Sequence, residues 1–185
     1  MNHTPPRHVV SVSLSPTRDT DMDTVQPVEE KHPVNELIKP SYASFRVLVV
    51  DDVEMNRKMM IRLIKNIWSD ITEAEDGVIA VNKVRQADVE GKPFGLILMD
   101  FQMPNMNGPE AAKIIRNERF KCFIVGVTGN GLPSDISHFR KQGADAVLLK
   151  PLNLSLLNTC LEDLMRNRSQ CRKRRNYELE RDVQE

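Results

Sequence analysis

The fold is decided by residues 95–108, which read GLILMDFQMPNMNG. The first five residues form an apolar run with the length and composition of a strand that is buried on both faces. The run stops at Asp100, and a polar loop leads from there to Gly108 and Pro109, a pair typical of the first turn of a helix. This stretch therefore predicts a strand that ends in a carboxylate, followed by a loop and a helix.

The same alternation continues in both directions along the chain. Short apolar runs predict five strands, at residues 46–51, 71–74, 95–99, 123–128 and 146–149. Stretches with helical spacing separate them, with apolar faces marked by Met55, Met59, Leu63 and Ile67; by Val78, Val81 and Val84; by Ala111, Ala112 and Ile115; by Ile136 and Phe139; and by Leu156, Leu157, Cys160, Leu161 and Leu164. This (βα)₅ pattern predicts an α/β fold with a doubly wound parallel sheet in the flavodoxin-like strand order 2-1-3-4-5.

Composition changes at both ends of the chain. Residues 1–45 hold six of the eleven prolines and none of the eight glycines, which predicts a disordered N-terminal tail. We place the folded domain at residues 46–167. Six of the ten residues 166–175 are basic, so residues 168–185 are interpreted as a charged C-terminal tail or, preferably, a solvated extension of the last helix. The alternative for these basic residues is a nuclear-import or nucleic-acid-binding patch.

Several classes of protein are disfavoured by composition. The chain has 26 Lys and Arg against 26 Asp and Glu, a balance that argues against a nucleic-acid partner along the whole surface. Its three cysteines have no CxxC spacing, so neither a disulfide framework nor a zinc site is indicated. The longest apolar runs fall far short of the roughly 18 residues that a membrane span needs, and no secretory pattern is recognised. We therefore expect no membrane contact and a cytoplasmic, alternatively nuclear, location.

Polar side chains follow four of the five predicted strands. Asp51 and Asp52 come after the first strand, Asp100 after the third, Thr128 at the end of the fourth and Lys150 after the fifth. In the predicted strand order these ends converge on one pocket at the carboxyl edge of the sheet. The second strand ends in nothing comparable.

The chemistry of this pocket follows from its charges. Three crowded carboxylates repel each other and therefore require a cation, and hard oxygen ligands with room for water indicate Mg²⁺. One carboxylate can act as a nucleophile toward phosphorus while the metal and Lys150 neutralise the transferring phosphoryl oxygens. Thr128 would donate its hydroxyl to one of those oxygens.

These residues resemble the receiver domain of two-component response regulators, over essentially all of residues 46–167. The N-terminal motif DDVEMNR at residues 51–57 and the sequence LLKPL at residues 148–152 are similar to receivers joined to hybrid histidine kinases. The matching segments are VVDD at residues 49–52, LMDFQMPNMNG at residues 98–108, VTGN at residues 127–130 and GADAVLLKP at residues 143–151.

The resemblance implies a role for each matching position of the metal site. Asp100 would be the phosphoacceptor and a metal ligand, Asp52 a direct ligand and Asp51 a ligand acting mainly through water. The backbone carbonyl of Gln102 would complete the protein's share of the Mg²⁺ shell.

The resemblance also implies residues that switch the domain and residues that set the rate of hydrolysis. Lys150 would pair with the phosphoryl group, and Thr128 would move toward it and report its presence. The second switch position, often aromatic in the family, holds Val147, and Gln102 and Asn130 would tune hydrolysis. The usual Asp before the loop glycine is replaced by Asn107, a departure with little bearing on the chemistry.

The function implied is a signalling receiver that takes a phosphoryl group from a phosphohistidine on a histidine kinase or a histidine phosphotransfer protein. It would assist its own phosphorylation and dephosphorylation without being a conventional enzyme, and its downstream partner is not specified by the sequence. One alternative is a pseudo-receiver that serves only as a docking module, which the complete set of site residues argues against. Another is an aspartate-nucleophile phosphatase, which usually needs an acid where this chain has Gln102. A P-loop enzyme is excluded because GxxxxGK[ST] is absent.

Overall fold

The computed structural model describes the backbone of residues 41–182 and the side chains of residues 41–169. Residues 1–40, which make up most of the predicted N-terminal tail, lie outside the described residues. A 3₁₀ helix at Ser41–Ser44 comes first. After it the described chain runs through β1 (Val47–Val50), α1 (Glu54–Ile64), β2 (Ile71–Ala74), α2 (Gly77–Val89), β3 (Leu96–Asp100), α3 (Gly108–Asn117), β4 (Phe123–Thr128), α4 (Pro133–Lys141), β5 (Ala146–Leu149) and α5 (Leu154–Asp182).

The five strands form one parallel sheet in the order β2-β1-β3-β4-β5, which confirms the predicted topology. Two strand limits differ from the prediction by one residue. β1 is shorter than predicted at both ends, and β3 extends to Asp100 because this residue pairs with Val127 of β4. The carboxylate of Asp100 is therefore carried by a residue that belongs to the sheet itself.

The core lies on both faces of the sheet, as expected for a parallel sheet covered by helices. Successive residues of a strand point to opposite faces, so Leu48 and Val50 belong to one cluster and Val47 and Val49 to the other. Helices α2, α3 and α4 cover the first face, and α1 and α5 cover the second. This alternation explains why the strands read as unbroken apolar runs.

The buried face of α1 differs from the predicted one. The sequence pattern places Met55 and Met59 toward the core, but they are 65% and 59% exposed, whereas Met60 and Ile64 are buried. The rotation of the helix is fixed by Asn56, which lies one turn before Met60 and donates a hydrogen bond to Asp51 below the helix. A polar contact at the site therefore decides which apolar stripe of α1 is buried.

The other helices follow their predicted faces more closely. Ala111, Ala112 and Ile115 of α3 are all buried, and so is Phe139 of α4. Exceptions lie in the first turns of two helices, where Val78 of α2 and Leu156 of α5 are 40% and 59% exposed, while the buried residues of these helices are Ala80, Val81, Val84, Ala87, Leu157 and Leu161.

The folded part begins before the predicted boundary at residue 46. Tyr42 is buried, its ring lies 5.9 Å from that of Trp68, and its carbonyl accepts a hydrogen bond of 2.8 Å from the Trp68 indole nitrogen. The Phe45 ring lies 6.0 Å from that of Phe123. Residues 41–45, which composition assigns to the tail, therefore cover one end of the core.

At the other end, α5 continues through Asp182, so the backbone follows the helix-extension alternative rather than an irregular tail. Of the cysteines with described side chains, Cys122 is buried, Cys160 is half-buried and both are free thiols. None of the helices within residues 41–182 is both long and apolar enough to cross a membrane.

Two helices end in the same backbone motif, and this yields a stability prediction. After α3, the amide of Arg119 donates to the Arg116 carbonyl and Arg119 has a φ of 65°; after α2, Gly91 occupies the equivalent position with a φ of 69°. A side chain at positive φ costs energy that glycine avoids. We expect Arg119→Gly to raise the free energy of unfolding by about 0.5–1 kcal/mol, measured by urea denaturation.

The reciprocal control is Gly91→Ala. A Cβ atom on Gly91 would meet nothing within 4 Å, so any loss of stability must come from the backbone conformation. We expect this variant to be less stable than the wild type by about 1 kcal/mol. Destabilisation by Arg119→Gly would show that the Arg119 side chain makes a contact worth more than the strain of its backbone.

Candidate functional site

The three predicted carboxylates meet at the carboxyl edge of the sheet. Asp51 follows β1 and Asp100 ends the neighbouring strand β3; both side chains are buried, whereas Asp52 is exposed at the start of the loop to α1. One carboxylate oxygen of each residue lies within 4.8 Å of the others. The strand order brings these side chains together, as predicted.

Lys150 crosses from the end of β5 to the same cluster. Its Nζ atom lies 2.6 Å from Asp51 Oδ2 and 2.8 Å from Asp100 Oδ1. The lysine therefore bridges the two buried carboxylates and leaves the exposed Asp52 out of the ion pairs.

The buried charges perturb one another. Burial raises the pKa of the Asp100 carboxyl, the charge of Asp51 adds to the increase, and the ion pair with Lys150 offsets it only in part. Burial lowers the pKa of the Lys150 ammonium, but the bonds to Asp100 and Asp51 outweigh burial and leave that pKa above its ordinary value. Lys150 is therefore fully protonated at neutral pH.

The donor set fits a hard divalent cation. One ammonium cannot neutralise three carboxylates, so the cluster retains negative charge that a further cation would compensate. All three side-chain donors are carboxylate oxygens, and Gln102 lies two residues beyond Asp100 in an exposed loop where its backbone carbonyl can add a fourth oxygen. Oxygen donors with an open side are the environment that Mg²⁺ prefers.

The loop between β1 and α1 is held by hydrogen bonds that orient Asp51. Its Oδ1 atom accepts from the Val53 amide and from the Asn56 side chain, both at 3.0 Å. Because Oδ1 is occupied in this way, Oδ2 faces Lys150. The carboxylate therefore has a single orientation relative to the lysine.

Arg57 supports the same loop from α1. Its NH1 group donates to the carbonyls of Asp51 and Asp52, at 2.8 and 3.4 Å, and its Nε atom lies 3.0 Å from Glu73 Oε2 on β2. The second strand, which the sequence analysis treats as empty, thus contributes to the site through Arg57. No sequence signal distinguishes this pair from an ordinary surface ion pair.

Asp76 joins two loops that are distant in sequence. Its Oδ1 atom accepts from the Val78 amide at 2.8 Å and caps α2, and its Oδ2 atom accepts from the amides of Asn105 at 3.0 Å and Met106 at 3.4 Å. Asp76 is buried. Its position before Gly77 would have predicted the helix cap, but not the bonds to the loop that follows Asp100.

Glycine is required where this loop closes on the sheet. A Cβ atom on Gly108 would lie 2.0 Å from the Asp100 carbonyl oxygen, and one on Gly77 would lie 2.5 Å from the Met106 carbonyl oxygen. The Gly108 amide also donates to the Phe101 carbonyl at 2.9 Å. The close backbone approach at Gly108 explains why the loop after Asp100 ends in glycine.

The bonds of Asp76 predict a dependence of stability on pH. Burial raises the pKa of the Asp76 carboxyl, but the backbone amides outweigh burial and hold that pKa below its ordinary value. A lowered folded-state pKa contributes stability above the unfolded pKa of about 3.9, and this stability is lost as pH falls through the folded pKa. We expect Asp76→Asn to be less stable than the wild type near neutral pH, and the gap in urea-unfolding free energy to narrow below about pH 4. A gap that is constant with pH would contradict the assignment.

The remaining predicted site residues lie around the cluster without contacting it through hydrogen bonds among the described residues. Thr128 is buried one residue beyond the partner of Asp100 in the strand register, and its hydroxyl oxygen accepts from the Asn130 amide at 3.1 Å. The Asn130 side chain donates to Asp135 of α4 at 2.8 Å. Val147 is half-buried on β5 and packs against the core face that α2, α3 and α4 cover.

Comparison with known proteins assigns this arrangement to one kind of domain. Residues 47–162 match the family model described as "Response regulator receiver domain". The two-component response regulator ORR41 of Oryza sativa subsp. japonica is 41% identical over 118 residues, which cover 63% of this chain and 91% of that protein. The hybrid signal transduction histidine kinase I of Dictyostelium discoideum is 35% identical over 116 residues, which cover 60% of this chain and 7% of that kinase.

A solved structure agrees with these matches. A variant of the receiver domain of the histidine kinase CKI1 from Arabidopsis thaliana superimposes with a TM-score of 0.59 at 29% sequence identity, covering 66% of this chain and 90% of that domain. The chain thus spans nearly all of a regulator and of an isolated domain, but only a small part of a hybrid kinase.

Proposed function

This chain belongs to the response regulator receiver domain family, and from that premise we propose that Asp100 accepts a phosphoryl group from a phosphohistidine, so that the domain works as a phosphorylation-switched signalling module. One observation carries the proposal: Asp100 is a buried carboxylate that pairs with Lys150 beside two further carboxylates. A family member in two-component signalling with this set of groups has what phosphoryl transfer to a carboxylate requires.

The transfer is written as a simple displacement at phosphorus. A carboxylate oxygen of Asp100 forms a bond to phosphorus, and the bond from phosphorus to the donor imidazole nitrogen breaks, so that the imidazole leaves with the electron pair. Asp51, Asp52, Asp100 and the Gln102 carbonyl would hold Mg²⁺, which when bound supplies positive charge to the phosphoryl oxygens. Lys150 exchanges its bond to the Asp100 carboxylate for one to the phosphoryl group, which its position 2.8 Å from Asp100 Oδ1 permits.

The response to phosphorylation would begin at Thr128. Its hydroxyl is held by the backbone of Asn130, and donating to a phosphoryl oxygen would require these local bonds to break. That movement would be felt along β4, α4 and β5, where Val147 takes the second switch position. A small aliphatic residue there would leave more space than an aromatic ring as the loop moves.

Exposed apolar residues next to the site support a place for the donor, a histidine kinase or a histidine phosphotransfer protein. A groove of about 450 Å³ beside Lys150 is lined in part by Met59, Leu63 and Leu152. The donor imidazole has to reach Asp100, so the donor protein must cover this edge of the sheet. An amphipathic helix that carries the phosphohistidine would place its apolar face in the groove.

The observations support a receiver over the two alternatives. A docking module without phosphorylation has no use for a buried carboxylate that a lysine bridges to a second carboxylate. A phosphatase would need an acid or base two residues after the nucleophile, and Gln102 is neither. Any hydrolysis assisted by the domain would therefore be slow.

The test uses a small phosphodonor in place of the unidentified protein donor. The full chain is incubated with phosphoramidate in the presence of Mg²⁺ or of EDTA, and its intact mass is measured. We expect a gain of one phosphoryl group that depends on Mg²⁺ and maps to the peptide containing Asp100. No gain in mass with no consumption of phosphoramidate would favour the docking module, and no gain with rapid consumption would favour the phosphatase.

The lifetime of the phosphorylated form gives a further prediction. Gln102 and Asn130 flank the approach of water to the phosphorus, neither can act as a general base, and Asn130 is tied to Asp135. We expect the phosphoryl group to last for minutes to hours, followed by intact mass after the phosphodonor is removed. We also expect the double variant Gln102→Ala, Asn130→Ala to change this lifetime. Decay within seconds, or a wild-type lifetime in the double variant, would contradict the prediction.

A further inference from the structure

We infer that Asp76 is a positioning residue for the phosphorylation site: its carboxylate sets the position of the loop at residues 101–107, and through that loop cation binding and phosphoryl transfer. The inference rests on the proposed function for its second half only. Nothing in the sequence pattern of the strand ends assigns Asp76 to the site.

The first step is the geometry of the carboxylate. One oxygen of Asp76 is committed to the Val78 amide at the start of α2, and the other reaches across to the amides of Asn105 and Met106. The side chain is 3% exposed and has no cationic partner among the described residues. Its negative charge is therefore stabilised by backbone N–H groups, three of which converge on it.

The second step is what the loop carries. Gln102 lies between Asp100 and the residues that Asp76 holds, and its carbonyl is the proposed fourth oxygen of the cation site. The loop is fixed at its far end by the Gly108 amide, which donates to Phe101. The two bonds from Asp76 fix its middle, so their loss would free the segment between Asp100 and Asn105.

The third step is that α2 and the loop are packed together as one unit. The Met106 backbone lies so close to Gly77 that a Cβ atom there would meet the Met106 carbonyl oxygen at 2.5 Å. Asp76 and Gly77 thus hold the loop by a bond and by contact. The start of α2 is a rigid support behind a loop that is otherwise exposed at Gln102, Pro104 and Asn105.

The variant that tests the inference is Asp76→Ser. Serine retains an oxygen that can cap α2 through the Val78 amide, but it has no second oxygen to reach Asn105. The matched control is Asp145→Asn, since Asp145 also accepts from a backbone amide, that of Ile124 at 2.8 Å, and it does so at the opposite edge of the sheet.

Both variants are compared with the wild-type full chain in two measurements. In calorimetric titration with Mg²⁺ we expect the dissociation constant of Asp76→Ser to rise about tenfold, and at saturating Mg²⁺ we expect its phosphorylation rate with phosphoramidate to fall about tenfold. Asp145→Asn should match the wild type in both, although it also loses a buried hydrogen bond. Circular dichroism confirms that each variant is folded at the temperature used.

The outcomes separate the inference from the proposed function. Wild-type Mg²⁺ affinity and rate in folded Asp76→Ser would overturn the inference, as would equal losses in Asp145→Asn. If the wild type binds Mg²⁺ but accepts no phosphoryl group, the proposed function fails and the Mg²⁺ titration alone decides the role of Asp76. If the wild type binds no Mg²⁺, both are overturned.

Discussion

Replacement of Asp100 by Asn is expected to abolish the Mg²⁺-dependent gain in mass with phosphoramidate. The reacting oxygen at this position must be an anion, and the neutral amide that the substitution introduces is a poor nucleophile toward phosphorus. Neither Asp51 nor Asp52 should replace it, because Asp51 is held by Val53, Asn56 and Lys150 and Asp52 is exposed outside the ion pairs. Intact-mass measurement after incubation with phosphodonor and Mg²⁺ gives the result directly.

The controls distinguish loss of the acceptor from loss of the fold. Burial raises the pKa of Asp100, which means that the fold disfavours its charge, so Asp100→Asn should be at least as stable as the wild type in urea without Mg²⁺. Asp145→Asn makes the same chemical change at the opposite edge of the sheet and should be phosphorylated normally. Undiminished labelling of Asp100→Asn would place the acceptor on another residue.

Most of the fold follows from the alternation of apolar runs and helical spacing. A parallel sheet that is buried on both faces produces unbroken runs such as residues 47–50 and 96–99, and the crossover rules then leave few topologies. What the alternation cannot give is the rotation of a helix with a wide apolar stripe. In α1 two stripes are available, and the bond from Asn56 to Asp51 selects the one with Met60.

The N-terminal boundary was wrong for a different reason. Tyr42 and Phe45 lie in a stretch without periodicity, close to Pro40, and composition counts such residues as tail. Their burial depends on partners that are remote in sequence, Trp68 and Phe123. Such contacts become visible only when the fold brings the partners together.

The candidate site divides in the same way. Residues that would carry the chemistry stand at strand ends, where topology alone brings them together, so Asp51, Asp100 and Lys150 were predictable as a group. Residues that orient them, such as Arg57 and Asp76, act through the backbone of another loop. Their side chains meet main-chain groups, and a main-chain partner leaves no signature in the sequence.

Replacing Lys150 by Met is expected to change cation binding and phosphorylation in opposite directions. Without the ammonium, the carboxylates of Asp51 and Asp100 lose the positive charge that lies within 2.8 Å of each, so their attraction for Mg²⁺ should be maintained or increased. Phosphorylation with phosphoramidate should nevertheless slow by about a hundredfold, the usual effect of removing one group that stabilises developing charge. Calorimetric titration with Mg²⁺ and the time course of the mass gain provide the two measurements.

The opposite signs make this a demanding test of the role of Lys150. A variant that was merely damaged would lose both properties, whereas Lys113→Met, an exposed control on α3, should lose neither. Removing one partner of a buried ion pair leaves charge uncompensated, so Lys150→Met should be less stable than the wild type without Mg²⁺ and should gain more stability when Mg²⁺ is added. Weaker Mg²⁺ binding would mean that the lysine organises the carboxylates rather than competing with the cation. A wild-type rate of phosphorylation would mean that its charge is not needed by the transferring group.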